Sequence, residues 1–137
     1  MADEISIDTS GFYPCLAKRD DVHTQAADIL AASAERRRGF VTTDYVLDET
    51  ATLLKTRAVS HLVQRLFNIV FTSHACRIEW MDPNRFATTR DFFVQRLDQR
   101  YSFTDCFSFT IMQELEVTDA LTKDIHFSEA GFRPLLT

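Results

Sequence analysis

Short apolar runs alternate with longer amphipathic ones along almost the whole chain, and few architectures accept that order. "EISID", "GFVTT", "CRIEWM", "ALT" and "FRPLL" read as strands. Helical stretches separate them, from about Asp21 to Arg38, from about Asp44, from about His61, from about Pro83 to Arg100, and from Ser102. The order β-α-β-α-α-β-α-α-β-β calls for right-handed crossovers. It therefore predicts α/β class with a mostly parallel sheet of four to five strands covered on both faces, a three-layer α/β/α fold. Pro134 cannot donate to a ladder, which places the last strand at an edge. Asp44, Ser102 and Asp124 suit helix starts, and Gly39, just past "ERRR", suits a helix end.

The segment "YSFTDCFSFTIMQEL", Tyr101 to Leu115, adds a second constraint. At 100° per residue its apolar side chains leave almost no polar face, so it reads as a helix buried nearly all round. Asp105 nevertheless sits among Phe103, Phe107, Phe109 and Met112. A carboxylate with little water to face needs a partner, a metal or a shifted pKa. With 137 residues, 45% of them apolar and twelve of them Phe, the chain is expected to form one domain over residues 1–137. Such a domain buries roughly two thirds of its unfolded surface without staples.

Several chemistries are excluded. Only Gly11, Gly39 and Gly131 are present, so neither a phosphate-cradling P-loop nor a dinucleotide fingerprint can be written. No G-x-S-x-G turn exists, and His23, His61, His74 and His126 show no HExxH spacing. His126 follows Asp124 by two residues and could approach a site there. Cys15, Cys76 and Cys106 lack CxxC spacing and lie in apolar surroundings, which argues for buried, reduced thiols in a cytoplasmic protein and against structural zinc. "MADEISID" has neither a basic flank nor a long apolar stretch, so no secretory signal is expected, and no run reaches membrane-spanning length. A net charge of −5 argues against a protein that coats nucleic acid. With four acids grouped around cations, however, the remainder is close to neutral and the arginines are left to form a basic rim.

Ligands of a parallel sheet bind beyond the carboxyl ends of its strands, so acids that follow a strand or open the next helix are informative. Asp8 ends "EISID", Asp124 follows "ALTK", and Asp105 lies in the first turn of the buried helix. Each also has a structural role open to it: Asp8 and Asp124 could cap short helical turns, and Ser102 with Asp105 has capping-box spacing. Glu49, in "TTDYVLDETATLL", borders the face formed by Val46, Leu47, Thr50, Leu53 and Leu54, whereas Asp48 points away. Taken singly, Glu49 could be a surface carboxylate on a helix edge. Taken together, four carboxylates at one end of a sheet repel unless oxygen-preferring cations such as Mg²⁺ or Mn²⁺ lie among them.

The chain resembles the PIN-domain ribonuclease family, especially the small VapC-like toxins of bacterial toxin–antitoxin pairs. "ISIDTSGFY", "VLDETATLL", "YSFTDCFSF" and "ALTKDIHFSEAGF" resemble the family's four motifs and together span the whole chain. The third departs from the family in continuing "DCFSF", where small residues such as Ala are frequent. The resemblance implies Mg²⁺- or Mn²⁺-dependent cleavage of RNA phosphodiester bonds by one or two ions. Asp8, Asp105 and Asp124 would be metal ligands and Glu49 a ligand or water orienter. Thr9, Ser10, Thr104 and Thr122 would be polar neighbours that orient carboxylates or water. It also implies a cognate antitoxin and a homodimer. The alternatives are a housekeeping RNA-processing nuclease and a non-catalytic binding module on the same scaffold. A receiver-type phosphoacceptor domain would need an adjacent acidic pair after the first strand, which is missing.

Arg36, Arg37, Arg38, Arg85, Arg90, Arg96 and Arg100 could contact RNA phosphates, the competing role being a solvated helix face. Phe12, Tyr13 and Trp80 could stack on unpaired bases, with core packing the more ordinary use of each.

Overall fold

A computed structural model describes residues 3–137; Met1 and Ala2, which head the "MADEISID" stretch, lie outside the described residues. The elements run β1 (Glu4–Ile7), α1 (Thr9–Leu16), α2 (His23–Glu35), β2 (Gly39–Thr43), α3 (Asp44–Thr56), α4 (His61–Thr72), β3 (Cys76–Glu79), α5 (Pro83–Val94), α6 (Phe103–Leu115), β4 (Asp119–Leu121), α7 (Ile125–Glu129) and β5 (Arg133–Pro134). The strands form one sheet in the order β3-β2-β1-β4-β5, and every pairing is parallel. Pro134 lies in the edge strand β5, as its missing N–H requires.

Handedness explains the layers. The chain steps from β1 to β2 to β3 in one direction and then from β3 to β4 to β5 in the other. Right-handed crossovers must therefore put α1 to α4 on one face and α5 to α7 on the opposite face. The cores follow that division. Ile5, Ile7, Phe40 and Leu121 of the sheet pack with Phe12, Leu16, Leu47, Leu54, Leu62 and Leu66. Val41 and Ala120, one residue out of phase, pack with Phe107, Phe109, Met112 and Phe127. The alternation at Phe40/Val41 and Ala120/Leu121 is the two-residue period of a sheet buried on both faces. Cys106 through Met112 are all buried, so α6 is enclosed through its middle turns.

The structure differs from expectation at several boundaries. The eight-residue α1 and five-residue α7 are absent from the order inferred above, because neither is long enough to display a helical period. Thr43 rather than Asp44 caps α3: its Oγ1 accepts from Val46 N at 3.1 Å, while Asp44 accepts from Met81 N at 3.0 Å and ties the helix to the segment after β3. Gly39 opens β2, and Arg37 (φ 55°) takes the left-handed position after α2. Helix α5 ends at Val94, before Arg100. Cys106 is buried, but Cys15 and Cys76 are only partly so; all three are free, and burial pushes each thiol up to about 11. No helix among the described residues is long and apolar enough to cross a membrane.

Candidate active site

The sheet reverses its winding between β1 and β4, and the crevice beyond the carboxyl ends of such a strand pair is where an α/β sheet offers a binding site. Asp8 follows β1 and Asp124 lies three residues beyond β4. A cleft of about 380 Å³ opens there, and Asp8, Glu49, Asp105 and Asp124 all line it. Its rim carries Arg57, Arg100 and Lys123.

Each aspartate is held by a helix start. Asp8 caps α1, its Oδ1 accepting from Gly11 N at 3.2 Å and from Ser10 Oγ at 2.9 Å. Asp105 closes a capping box with Ser102: Asp105 N donates to Ser102 Oγ at 3.0 Å, and Asp105 Oδ2 accepts from Ser102 N at 3.2 Å. Asp124 caps α7, its Oδ1 accepting from His126 N at 2.9 Å. In Asp105 and Asp124 one oxygen does the capping and the other accepts no hydrogen bond from the described residues, while Asp8 caps through Oδ1 and also has the Thr122 hydroxyl as a neighbour. Capping therefore fixes the rotamer of each carboxylate where it lines the cleft.

The remaining groups are also oriented. Thr50 Oγ1 lies 3.1 Å from Thr9 Oγ1, which donates to Glu49 Oε1 at 2.7 Å, so a relay from the buried face of α3 aims the otherwise exposed Glu49. Thr122 Oγ1 contacts Ser10 Oγ at 2.8 Å and accepts from Asp124 N at 3.0 Å, joining the β1 and β4 sides. Thr104 makes no side-chain hydrogen bond among the described residues and does not line the cleft. His126 Nδ1 lies 3.3 Å from Asp105 Oδ2 and 3.4 Å from Asp124 Oδ1. One ligand-type atom from each of Asp105, Asp124 and His126 falls within 4.8 Å of the others.

The electrostatics record the crowding. Burial pushes the Asp8 carboxyl up to about 7; hydroxyls of Ser10 and Thr122 oppose the rise, and the charges of Asp105 and Asp124 add to it. Asp105 is raised as well, first by burial and then by Asp124, against the Ser102 amide and His126. Desolvation and like charge both disfavour ionisation, and both are relieved by a cation.

Of the seven arginines considered for RNA contact, only Arg100 lines the cleft. Arg38 pairs with Asp3 and Asp119, Arg85 with Glu79 and Glu114, and Arg90 with Asp91; Arg96 lies over the Phe92 ring. Arg36 and Arg37 sit in the α2–β2 turn, at the opposite end of the sheet. Tyr13 lines the cleft and Phe12 is core, whereas Trp80, expected to pack inside, is 53% exposed. Sequence reasoning passed over Arg57 and Lys123. A signal for Arg57 existed, because Glu49, Leu53 and Arg57 recur at four-residue spacing and all three face the cleft.

No family model matches the chain. Among curated proteins it is similar to the 23S rRNA-specific endonuclease VapC20 of Mycobacterium tuberculosis, 32% identical over 133 residues that cover 93% of this chain and 95% of that protein. The same protein of a second strain gives the same figures. Among solved structures it is similar to crystalline M. tuberculosis VapC20, described as a sarcin–ricin loop cleaving toxin. That likeness has a TM-score of 0.87 and 26% identity, and it covers 98% of this chain and all of the other.

Proposed function

We propose, starting from the fact that this chain belongs to the VapC family of PIN-domain toxins, that it is an endoribonuclease whose active site is the cleft around Asp8, Glu49, Asp105 and Asp124. The observation that carries this reading is that three aspartates, each tied to a helix start through one oxygen, line a single cleft together with Glu49. Caps alone have no need to converge, and convergence costs the repulsion recorded at Asp8.

The donor set fits a hard divalent cation, since carboxylate oxygens with water suit Mg²⁺ or Mn²⁺ and a single imidazole is tolerated by the latter. Asp8, Asp105 and Asp124 would hold one or two such ions. When bound, the ion supplies an activated water and offsets charge developing on phosphorus. The chain's own groups do the rest. Glu49 has Oε1 fixed by Thr9, which leaves its other oxygen to hold a ligand or orient the attacking water. Lys123 and Arg100, at the rim, would meet the non-bridging phosphate oxygens.

The named relative acts on 23S rRNA, so ribosomal RNA is the first substrate to test. The reading extends to a single PIN-like domain over 1–137 acting in the cytoplasm, a cognate antitoxin and a homodimer. Ile69 and Phe71 on α4, Phe86 and Val94 on α5, and Leu97 just after it are exposed and offer apolar surface for such partners.

Asp105→Asn is the direct test. It should abolish cleavage in Mg²⁺ while leaving the metal-free fold as stable or more so, because an amide oxygen can still accept from Ser102 N and a repelling charge is gone. If Asp105 were a cap and nothing more, the change would cost up to about 1 kcal/mol and leave cleavage intact.

A further inference from the structure

We propose that a second groove, continuous with the active-site cleft, binds the phosphates of the RNA strand leading away from the scissile bond. The groove is about 750 Å³ and runs over the α1–α2 turn, the end of α3 and the first turns of α4; it shares Tyr13, Asp20 and Arg57 with the cleft. Lys18, Arg19, Arg57 and Arg65 line it. This assignment rests on the nuclease reading above and names where its substrate lies.

Charge is the first argument. In a chain of net charge −5, four basic side chains converge on one depression, and none of them forms an ion pair among the described residues. Arg38, Arg77, Arg85, Arg90 and Arg133 are all paired elsewhere. The one acid in the groove, Asp20, is mostly buried, accepts from Val22 N at 3.0 Å and lies 4.0 Å from Lys123 Nζ. The depression is therefore suited to a polyanion.

Continuity is the second. Where groove meets cleft, the Arg57 guanidinium lies 4.6 Å above the Tyr13 ring centroid. That pair joins a cation to an aromatic ring, the two kinds of group on which unpaired bases stack, beside the carboxylates that would handle the phosphodiester. An acidic protein segment would satisfy the charges but has no use for the pair or for a path into the carboxylate cleft.

The test uses Arg19→Gln/Arg65→Gln, two exposed positions that line the groove and not the cleft. Cleavage is measured in Mg²⁺ on a long RNA and on an oligonucleotide that barely spans the scissile bond, and binding of the long RNA is measured in chelator across a salt series. The double variant should lose at least tenfold in kcat/KM on the long RNA, through KM, and stay within twofold of the parent on the short one. Its slope of log affinity against log salt should fall by about 1.4, about 0.7 for each contact to a single strand. Equal losses on both RNAs would overturn the assignment. Unchanged RNA affinity with lost binding of poly-glutamate would overturn it in favour of an acidic protein segment. A parent chain that binds long RNA with the steeper slope yet cleaves none would remove the nuclease reading and leave the groove standing; one that binds no RNA would remove both.

Discussion

Asp8 shows at a single residue how the fold accommodates a charge that it destabilises. It is buried at a strand end, and its carboxyl is pushed up to about 7, first by lost hydration and also by the charges of Asp105 and Asp124. An unfolded aspartate titrates near 3.9, so between roughly pH 4 and 7 the folded chain holds a proton that the unfolded chain has released. The resulting stability is fully present below about pH 4 and is lost as pH rises through about 7. Its ceiling is about 4 kcal/mol for a shift of this size. Asp8→Asn should therefore flatten the pH dependence of the metal-free protein and stabilise it at pH 8 by about 2–4 kcal/mol. Urea midpoints of parent and variant at pH 5 and pH 8 measure this, and parallel curves would show that Asp8 ionises freely in the fold. The position of Asp8 after an apolar run was visible in the sequence, and so was its fitness as a cap. That one carboxylate both caps α1 and lines the cleft was not, because residue type alone does not say which oxygen is engaged.

Among the elements, the two shortest helices hold two of the four acids that line the cleft. Asp8 and Asp124 owe their rotamers to α1 and α7, which the 3.6-residue period could not reveal in eight and five residues. The longer helices were legible because α3 and α4 carry an apolar stripe and α6 apolar residues all round, while α5 was marked by its start at Pro83. Their ends were less so: the αL turn after α2 fell on Arg37 rather than the nearby Gly39 because the helix stops at Glu35. Gly11 explains how α1 comes so close to the sheet. A Cβ there would stand 1.9 Å from the Leu121 carbonyl oxygen, a backbone atom of β4 that cannot swing aside. Gly11→Ala must then push α1 away from β4 and carry Asp8 away from Asp124. The expected loss is about 3 kcal/mol, the upper end of overpacking costs, with cleavage falling further than stability explains. Gly39→Ala is the matched control, since its nearest neighbour, the Ala75 oxygen, would be 3.5 Å away. It should be neutral or stabilise by up to about 1 kcal/mol, since a strand glycine outside the left-handed region is less favourable than alanine. Equal effects of the two in urea denaturation would mean that α1 is not held by that close approach.

At the scale of the whole molecule, topology explains why separated acids meet. Asp8, Glu49, Asp105 and Asp124 are spread over 117 positions of sequence, yet β1 and β4 are neighbours, and α3 and α6 begin at the same end of the sheet. Alternating strands and helices made the parallel sheet and its two covered faces legible, and handedness then divided the helices between them. What the pattern could not supply was side-chain direction at the rim, so Arg85, which is ion-paired, was weighed for RNA contact while the cleft-lining Arg57 was passed over. If the acids share a cation, the same convergence should make the fold's stability depend on divalent ions. An ion bound only by the folded state adds about 2.7 kcal/mol at a hundredfold excess over its Kd. For 137 residues this should raise the thermal midpoint by roughly 9 °C. Melting at pH 7.5 in MgCl₂ or MnCl₂ should show that rise, and NaCl matched in ionic strength should not. Asp105→Asn, with one ligand oxygen weakened and one charge fewer to neutralise, should start from a higher midpoint without the ion and gain less with it. Identical gains in matched NaCl would reduce the effect to screening of a net charge of −5, and the four acids would then be neighbours without a common ligand.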